Sequence, residues 1–296
     1  MTVLVTGSRG LVGTALLKLL KAQFELKGMD LRNGTHEDVR LSIPLTGIEG
    51  IVHLAAVSRV IHAEQDPALC VETNVKALKS ILANALDQRT RPWMIFVSSR
   101  EVYGDATSLP ANEDTSFSPK NVYARSKVEG ENLCQAARDS GLTINIARLS
   151  SVYGSTDDHA DRVAPCFARA AAFGENITIE GDDHIFDFTH VADVAKGLQL
   201  LTTATSKKEL FPPIHFVSGH GTLLEELAQM SAQLAPTVIE IKTSGPRPYG
   251  VNRFFGDPAR ARALLGWNAQ IELSAGFTEL VNEFRKATLP QRALLS

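Results

Sequence analysis

The chain has 296 residues, 44% of them apolar and 21% charged, with a formal net charge of −3. That length buries a sizeable core as one large domain or two small ones, and the near-neutral balance leaves no basic footprint for nucleic acid or an anionic membrane surface. With no apolar run near the roughly 18 residues of a membrane span, no basic-then-apolar leader, and Cys70, Cys134 and Cys166 too scattered for a metal site, the composition predicts a reduced, cytoplasmic protein.

Residues 2–6 read as a buried strand that runs into Gly7, Gly10 and Gly13, spaced GxxGxxG. The first glycine permits a tight turn and the second lets backbone approach a pyrophosphate. The third lets the next helix pack close, with its positive N-terminus toward phosphate. Alone, the triplet also fits an ordinary strand–turn–helix junction. A helix follows over 11–22, with Leu11, Ala15, Leu16, Leu19 and Leu20 as its apolar stripe. A second strand over 25–29 ends at Asp30, where an acid accepts from adenosine ribose hydroxyls and repels a 2′-phosphate. Arg9 and Arg32 lie beside it, either as contacts to such a phosphate or as a solvated surface pair.

A strand over 51–56, a helix over 67–88, a strand over 94–97, a helix over 121–140 and a strand over 143–147 continue the alternation. The pattern predicts an α/β, Rossmann-type doubly wound parallel sheet covered on both faces. Past Gly154 the order loosens into helices over 162–173, 191–201 and 223–234 and strands over 177–179, 214–217 and 238–241. We therefore expect a dinucleotide-binding domain over 1–155. Residues 156–296 should form mainly a smaller mixed substrate lobe, with an approximate boundary that need not be contiguous in sequence.

Tyr123 and Lys127 stand four apart, on one face of the 121–140 helix. A free tyrosine titrates near pH ~10. A neighbouring ammonium, together with an oxidised nicotinamide, lowers that value toward the range of a useful base. Upstream lies Ser98-Ser99-Arg100-Glu101-Val102-Tyr103-Gly104.

The glycine cradle, the serine and Tyr-x-x-x-Lys, in this order and spacing, resemble the extended short-chain dehydrogenase/reductase superfamily. More narrowly the chain is similar to the nucleotide-sugar epimerase/dehydratase family, from residue 2 to about Gly276. The resemblance implies Ser99, Tyr123 and Lys127 as catalytic residues. Tyr123 is the acid/base, Lys127 bonds the nicotinamide ribose, and Ser99 polarises the ketone that forms. It implies a cofactor site of Gly7, Arg9, Gly10, Leu11, Val12 and Gly13, then Asp30 and Arg32, then Leu54, Ala55 and Ala56 over the pyrophosphate. Asp38 and Val39 match the family's adenine contact, although Asp38 also reads as a plain loop aspartate. Asn74 matches a bracing asparagine. NAD is expected as cofactor, with Arg9 and Arg32 keeping NADP open.

Three departures bear on the substrate. Arg100 stands where family dehydratases place the acid that protonates a departing 6-hydroxyl, and arginine cannot serve as that acid. It suits a C6 carboxylate, or else pairs outward with Glu101, which is retained at the position of the base. Ser151 and Phe186 replace an asparagine and an arginine that bind the diphosphate, leaving Arg162, Arg247 or Arg253 to replace the charge. The expected substrate set is Ser99, Arg100, Glu101, Tyr123, Ser151 and Arg253, with no metal. The expected activity is NAD-dependent C4 epimerisation of a nucleotide sugar through a transient 4-keto sugar. The alternatives are an NAD(P)-dependent reductase of a nucleotide 4-keto-deoxy sugar and a non-catalytic dinucleotide-binding regulator. The partner expected besides substrate is a second copy, paired through the 67–88 and 121–140 helices.

Overall fold

Val3 and Val5 are wholly shielded from solvent and Leu4 nearly so. Only a strand covered on both faces buries such a continuous apolar run. This is β1 (Thr2–Thr6), seen in a computed structural model that describes residues 1–181, 183–245 and 249–287. In chain order follow α1 (Leu11–Leu20), β2 (Glu25–Met29), β3 (Gly50–His53), α2 (Val60–Gln65), α3 (Pro67–Val71), α4 (Ala77–Asp87), β4 (Trp93–Ser99), α5 (Val122–Asp139) and β5 (Ile144–Leu149). The later elements are β6 (Ser151–Tyr153), α6 (Val163–Phe173), β7 (Ile177–Glu180), β8 (Ile185–Phe186), β9 (Phe188–His190), α7 (Val191–Ser206), β10 (Ile214–Phe216), β11 (Thr222–Leu223), α8 (Leu224–Leu234), β12 (Ile241–Ser244), α9 (Ala259–Leu265) and α10 (Leu273–Ala287).

Six strands form the central parallel sheet in the order β10-β5-β4-β3-β1-β2. The α/β, doubly wound architecture is thus the expected one. β10 and α7 come from beyond residue 155, yet β10 pairs with β5, and α7 packs on the sheet's covering layer beside α1. A separate cluster, with Phe167, Ile177, Ile179, Leu227 and Phe277 buried, forms the core beneath α6, α8 and α10.

Several boundaries differ from expectation. β3 stops at His53, whose Nδ1 lies 2.9 Å from Thr6 Oγ1, and residues 54–56 turn away as loop. The expected helix over 67–88 is α3 and α4 joined by a π turn at Glu72–Lys76, with α2 preceding it. The last strand begins at Ile241 rather than 238, because Val238 is fully exposed and makes no apolar contact to hold a strand.

Two glycines hold the first turn. Gly7 has φ +69°, and a Cβ there would sit 2.8 Å from the Ala55 backbone nitrogen. A Cβ on Gly13 would sit 2.2 Å from the Gly7 carbonyl oxygen. The chain therefore passes from β1 into α1 with no room for a side chain at Gly7 or Gly13, while Leu16 and Leu20 bury fully underneath. Each such leucine contributes about 1.5–3 kcal/mol.

Candidate active site

A cavity of about 430 Å³ opens beyond the C-terminal ends of β1, β3, β4 and β5, the edge where open α/β sheets take ligands. Gly7, Gly10, Leu11, Val12 and Gly13 line one end. α1 has no side-chain cap at Gly10, so the N–H groups of its first turn, which lack intrahelical partners, are offered to a ligand with the positive end of the dipole. An anion such as a pyrophosphate fits that cradle.

Ser99, Tyr123 and Lys127 line the same cavity. β4 delivers Ser99 at its last position. α5 starts where the Asn121 side chain accepts from Ala124 N at 2.7 Å, an N-cap that sets the helix turn carrying Tyr123 and Lys127. Ser99 Oγ accepts from Glu101 N at 3.2 Å, which leaves its own O–H to donate. Burial pushes the Tyr123 hydroxyl up to about 12, opposed first by the Ser99 hydroxyl and then by the Arg162 charge. Burial pushes Lys127 down to about 8. Its Nζ donates to Val97 O at 2.8 Å and lies 5.8 Å from the Tyr123 ring centroid.

Asn74 sits at the π turn and does not line the cavity. It accepts from Val57 N at 2.8 Å and donates to Ser126 Oγ at 2.9 Å, and Ser126 Oγ donates to Tyr123 O at 2.7 Å. It braces the loop after β3 against the turn that bears the tyrosine, a use typical of π bulges near sites.

The remaining sequence candidates divide. Arg32, Leu54, Ala56, Arg100, Glu101 and Ser151 line the cavity, whereas Arg9, Asp30, Asp38, Val39, Ala55 and Arg253 do not. Asp30 Oδ2 accepts from Arg9 N at 2.8 Å and Oδ1 from Arg32 N at 2.9 Å, so it ties the glycine loop to the end of β2. The two guanidinium groups donate to loop oxygens: Arg9 Nη1 to Asn33 Oδ1 at 3.2 Å and Arg32 Nη1 to Arg9 O at 2.8 Å. Asp38 is held below the usual carboxylate range by Arg40, whose Nε donates at 2.9 Å. Val39 is buried in the core with Leu4 and Ile51. Arg253 is exposed and pairs its backbone with Ile185. Arg247 lies outside the described residues.

Sequence reasoning missed part of the wall. Arg59 reaches 102 residues along the chain to Asp161, at 2.6 Å, and Arg162 Nε lies 3.6 Å from Asp158. No motif signals Arg59, Asp158 or Asp161; the loop that precedes α6 brings Asp161 onto Arg59, which also donates to the Asp161 carbonyl. Among the described residues no cluster of three or more His, Cys, Asp or Glu side chains is placed to hold a metal. No helix among them is long and apolar enough to cross a membrane.

A depressed lysine value makes stability depend on pH. Between about 8 and the ordinary lysine value near ~10.4, the unfolded chain binds a proton at Lys127 that the folded chain does not. The burial penalty is therefore complete below that window and is relieved as pH rises through it. Lys127→Met should remove this contribution. Denaturant unfolding of both proteins from pH 7.5 to 10 (about that window) should show the wild type gaining stability relative to the variant, and parallel curves would contradict the charged burial.

The glycine turn and the side chains of Ser99, Tyr123 and Lys127 open on one cavity of a Rossmann fold, and the chain is an enzyme of the extended short-chain dehydrogenase/reductase type. The profile of the NAD dependent epimerase/dehydratase family matches residues 3–211, and the chain belongs to that family. It is 24% identical to a UDP-glucose 4-epimerase of Dictyostelium discoideum, over 90% of this chain and 91% of that one. It is 25% identical to UDP-glucuronic acid decarboxylase 1 of Xenopus tropicalis, over 96% of this chain and 72% of the relative. The fold superposes with a TM-score of 0.85 on the NAD complex of the UDP-glucose 4-epimerase of Thermus thermophilus, at 24% identity, covering 97% and 100% of the two chains.

Proposed function

We propose that this chain is an NAD-dependent nucleotide-sugar 4-epimerase. The observation that carries the reading is the convergence of Ser99, Tyr123 and Lys127 on the cavity that the glycine cradle opens into. The family and the 4-epimerases among the relatives support it. The glycine turn and Lys127 are placed to hold NAD, which when bound would supply the acceptor and donor for the C4 hydride. Tyr123 takes the proton of the 4-hydroxyl and later gives it back. Ser99 donates to the same substrate oxygen and stabilises the charge that grows there. Lys127 keeps a positive charge beside the tyrosine ring, favouring the phenolate, and has N–H groups left over from Val97 O to hold a ribose.

Arg100 supports epimerisation over 4,6-dehydration, since the position directly after Ser99 carries no acid to protonate a departing 6-hydroxyl. Incubated with nucleotide hexoses, the protein should give no 4-keto-6-deoxy product by NMR, and such a product from any hexose would overturn this point. An epimerase regenerates its cofactor, so spectroscopy on substrate addition should show no net NADH turnover. Stoichiometric consumption of NADH or NADPH would favour a reductase instead.

Asp30 supports NAD over NADP. It places a carboxylate beside the glycine loop, with one lone pair on each oxygen left for ribose hydroxyls. Asp30→Ala should raise the NADP/NAD affinity ratio in equilibrium titrations by removing both the ribose acceptor and the repulsion of a 2′-phosphate. Tighter binding of NADP by the wild type would mean that Arg9 and Arg32 dominate.

A further inference from the structure

Arg100 is 8% exposed, yet it forms part of the cavity wall directly after Ser99. Two aromatic rings enclose its guanidinium, with the Phe186 centroid at 4.9 Å and that of Phe254 at 5.8 Å. Rings of this kind hold the planar group in place and stabilise its charge, but they give its N–H groups no acceptor. Nη2 meets Glu101 Oε1 at 3.0 Å, while Nη1 has no hydrogen-bond partner. Glu101 cannot turn to serve both nitrogens, because its other oxygen accepts from Asn121 Nδ2 at 3.0 Å and Asn121 also caps α5. A buried charged donor left unpaired is costly. Of the charged side chains that β4, its following turn and α5 give the cavity, Arg100 and Lys127 are cations and only Glu101 is an anion.

We propose that Arg100 recognises a carboxylate on the sugar of the substrate, so that the preferred ligand is a nucleotide hexuronate. The inference rests on the reading of this cavity as a nucleotide-sugar site. A hydroxymethyl group offers the guanidinium one weak acceptor in exchange for water. A carboxylate offers two oxygens in the plane of the fork and balances the excess positive charge beside Ser99. The same substitution that removes the dehydratase acid therefore installs a sugar-reading cation.

The test measures binding of UDP-glucuronate, UDP-galacturonate, UDP-glucose and UDP-galactose to the full chain by calorimetry, with products followed by NMR. Wild type should bind the uronates about 10- to 100-fold more tightly than the neutral sugars, the range of one charge-assisted pair. Arg100→Gln should bring that ratio close to parity by weakening the uronates. Arg100→Lys keeps the charge without the fork, and should lower the ratio less, which carries the test if the glutamine variant fails to fold. Equal or tighter binding of neutral sugars by the wild type, or an unchanged ratio in Arg100→Lys and Arg100→Gln, would overturn the carboxylate assignment. Inversion at C4 of a neutral sugar would then leave the epimerase reading standing. Tight uronate binding without C4 inversion would uphold Arg100 and remove the epimerase reading, and failure to bind any of the four would remove both.

Discussion

Tyr123→Phe lowers kcat by about 10²–10⁴-fold, the contribution of general acid–base catalysis, and leaves NAD affinity nearly unchanged. The phenol oxygen is the atom the mechanism uses, while the ring remains to fill its place beside Val57, Val60 and Val122. Burial raises the free protein's tyrosine to about 12, so the residue waits protonated and becomes a base only when the charges around it favour phenolate. Steady-state kinetics with equilibrium cofactor titration separates the two effects. Near-normal turnover in the variant would remove Tyr123 from the chemistry, and a parallel loss of NAD binding would make its role structural.

Gly13→Ala is expected to damage both stability and NAD binding through one added methyl group. The added carbon would lie 2.2 Å from Gly7 O and 2.9 Å from Ser8 Cα, both backbone atoms of the turn. Neither retreats without moving the loop, so α1 must shift away from β1. Overpacking of this kind costs about 1–3 kcal/mol. The displaced first turn also misdirects its N–H donors, and NAD affinity should fall at least about tenfold, as for loss of one charged hydrogen bond. Thermal unfolding and NAD titration read the two consequences. Wild-type values for both would contradict the tight strand-to-helix passage.

The cofactor half was legible because its signals are local. Gly7, Gly10 and Gly13 sit within one turn, and Tyr123 and Lys127 share one helical face, so spacing alone places them. Asp30 follows from the end of β2 in the same way. What sequence did not disclose depends on distant packing. β10 reads as one more short strand, and nothing in Ile214, His215 or Phe216 announces β5 as its neighbour. The stretch over 67–88 reads as one helix, and the π turn inside it carries Asn74, whose partners Val57 and Ser126 lie far off in sequence. Arg59 has meaning only opposite Asp161. Arg100 left two readings open, facing the sugar or paired outward with Glu101, and spacing could not choose between them. It is paired through one nitrogen and remains in the cavity wall between Phe186 and Phe254.

The central claim is reversible inversion at C4 without net oxidation. The direct measurement is a proton NMR time course of the protein with NAD and each C4 pair of nucleotide sugars in turn, hexose and hexuronate. Epimerisation predicts that one pair converges on the same mixture from either member, while nicotinamide absorbance returns to its starting value. A product that keeps its C4 configuration, or one that accumulates only as cofactor is consumed, would contradict it.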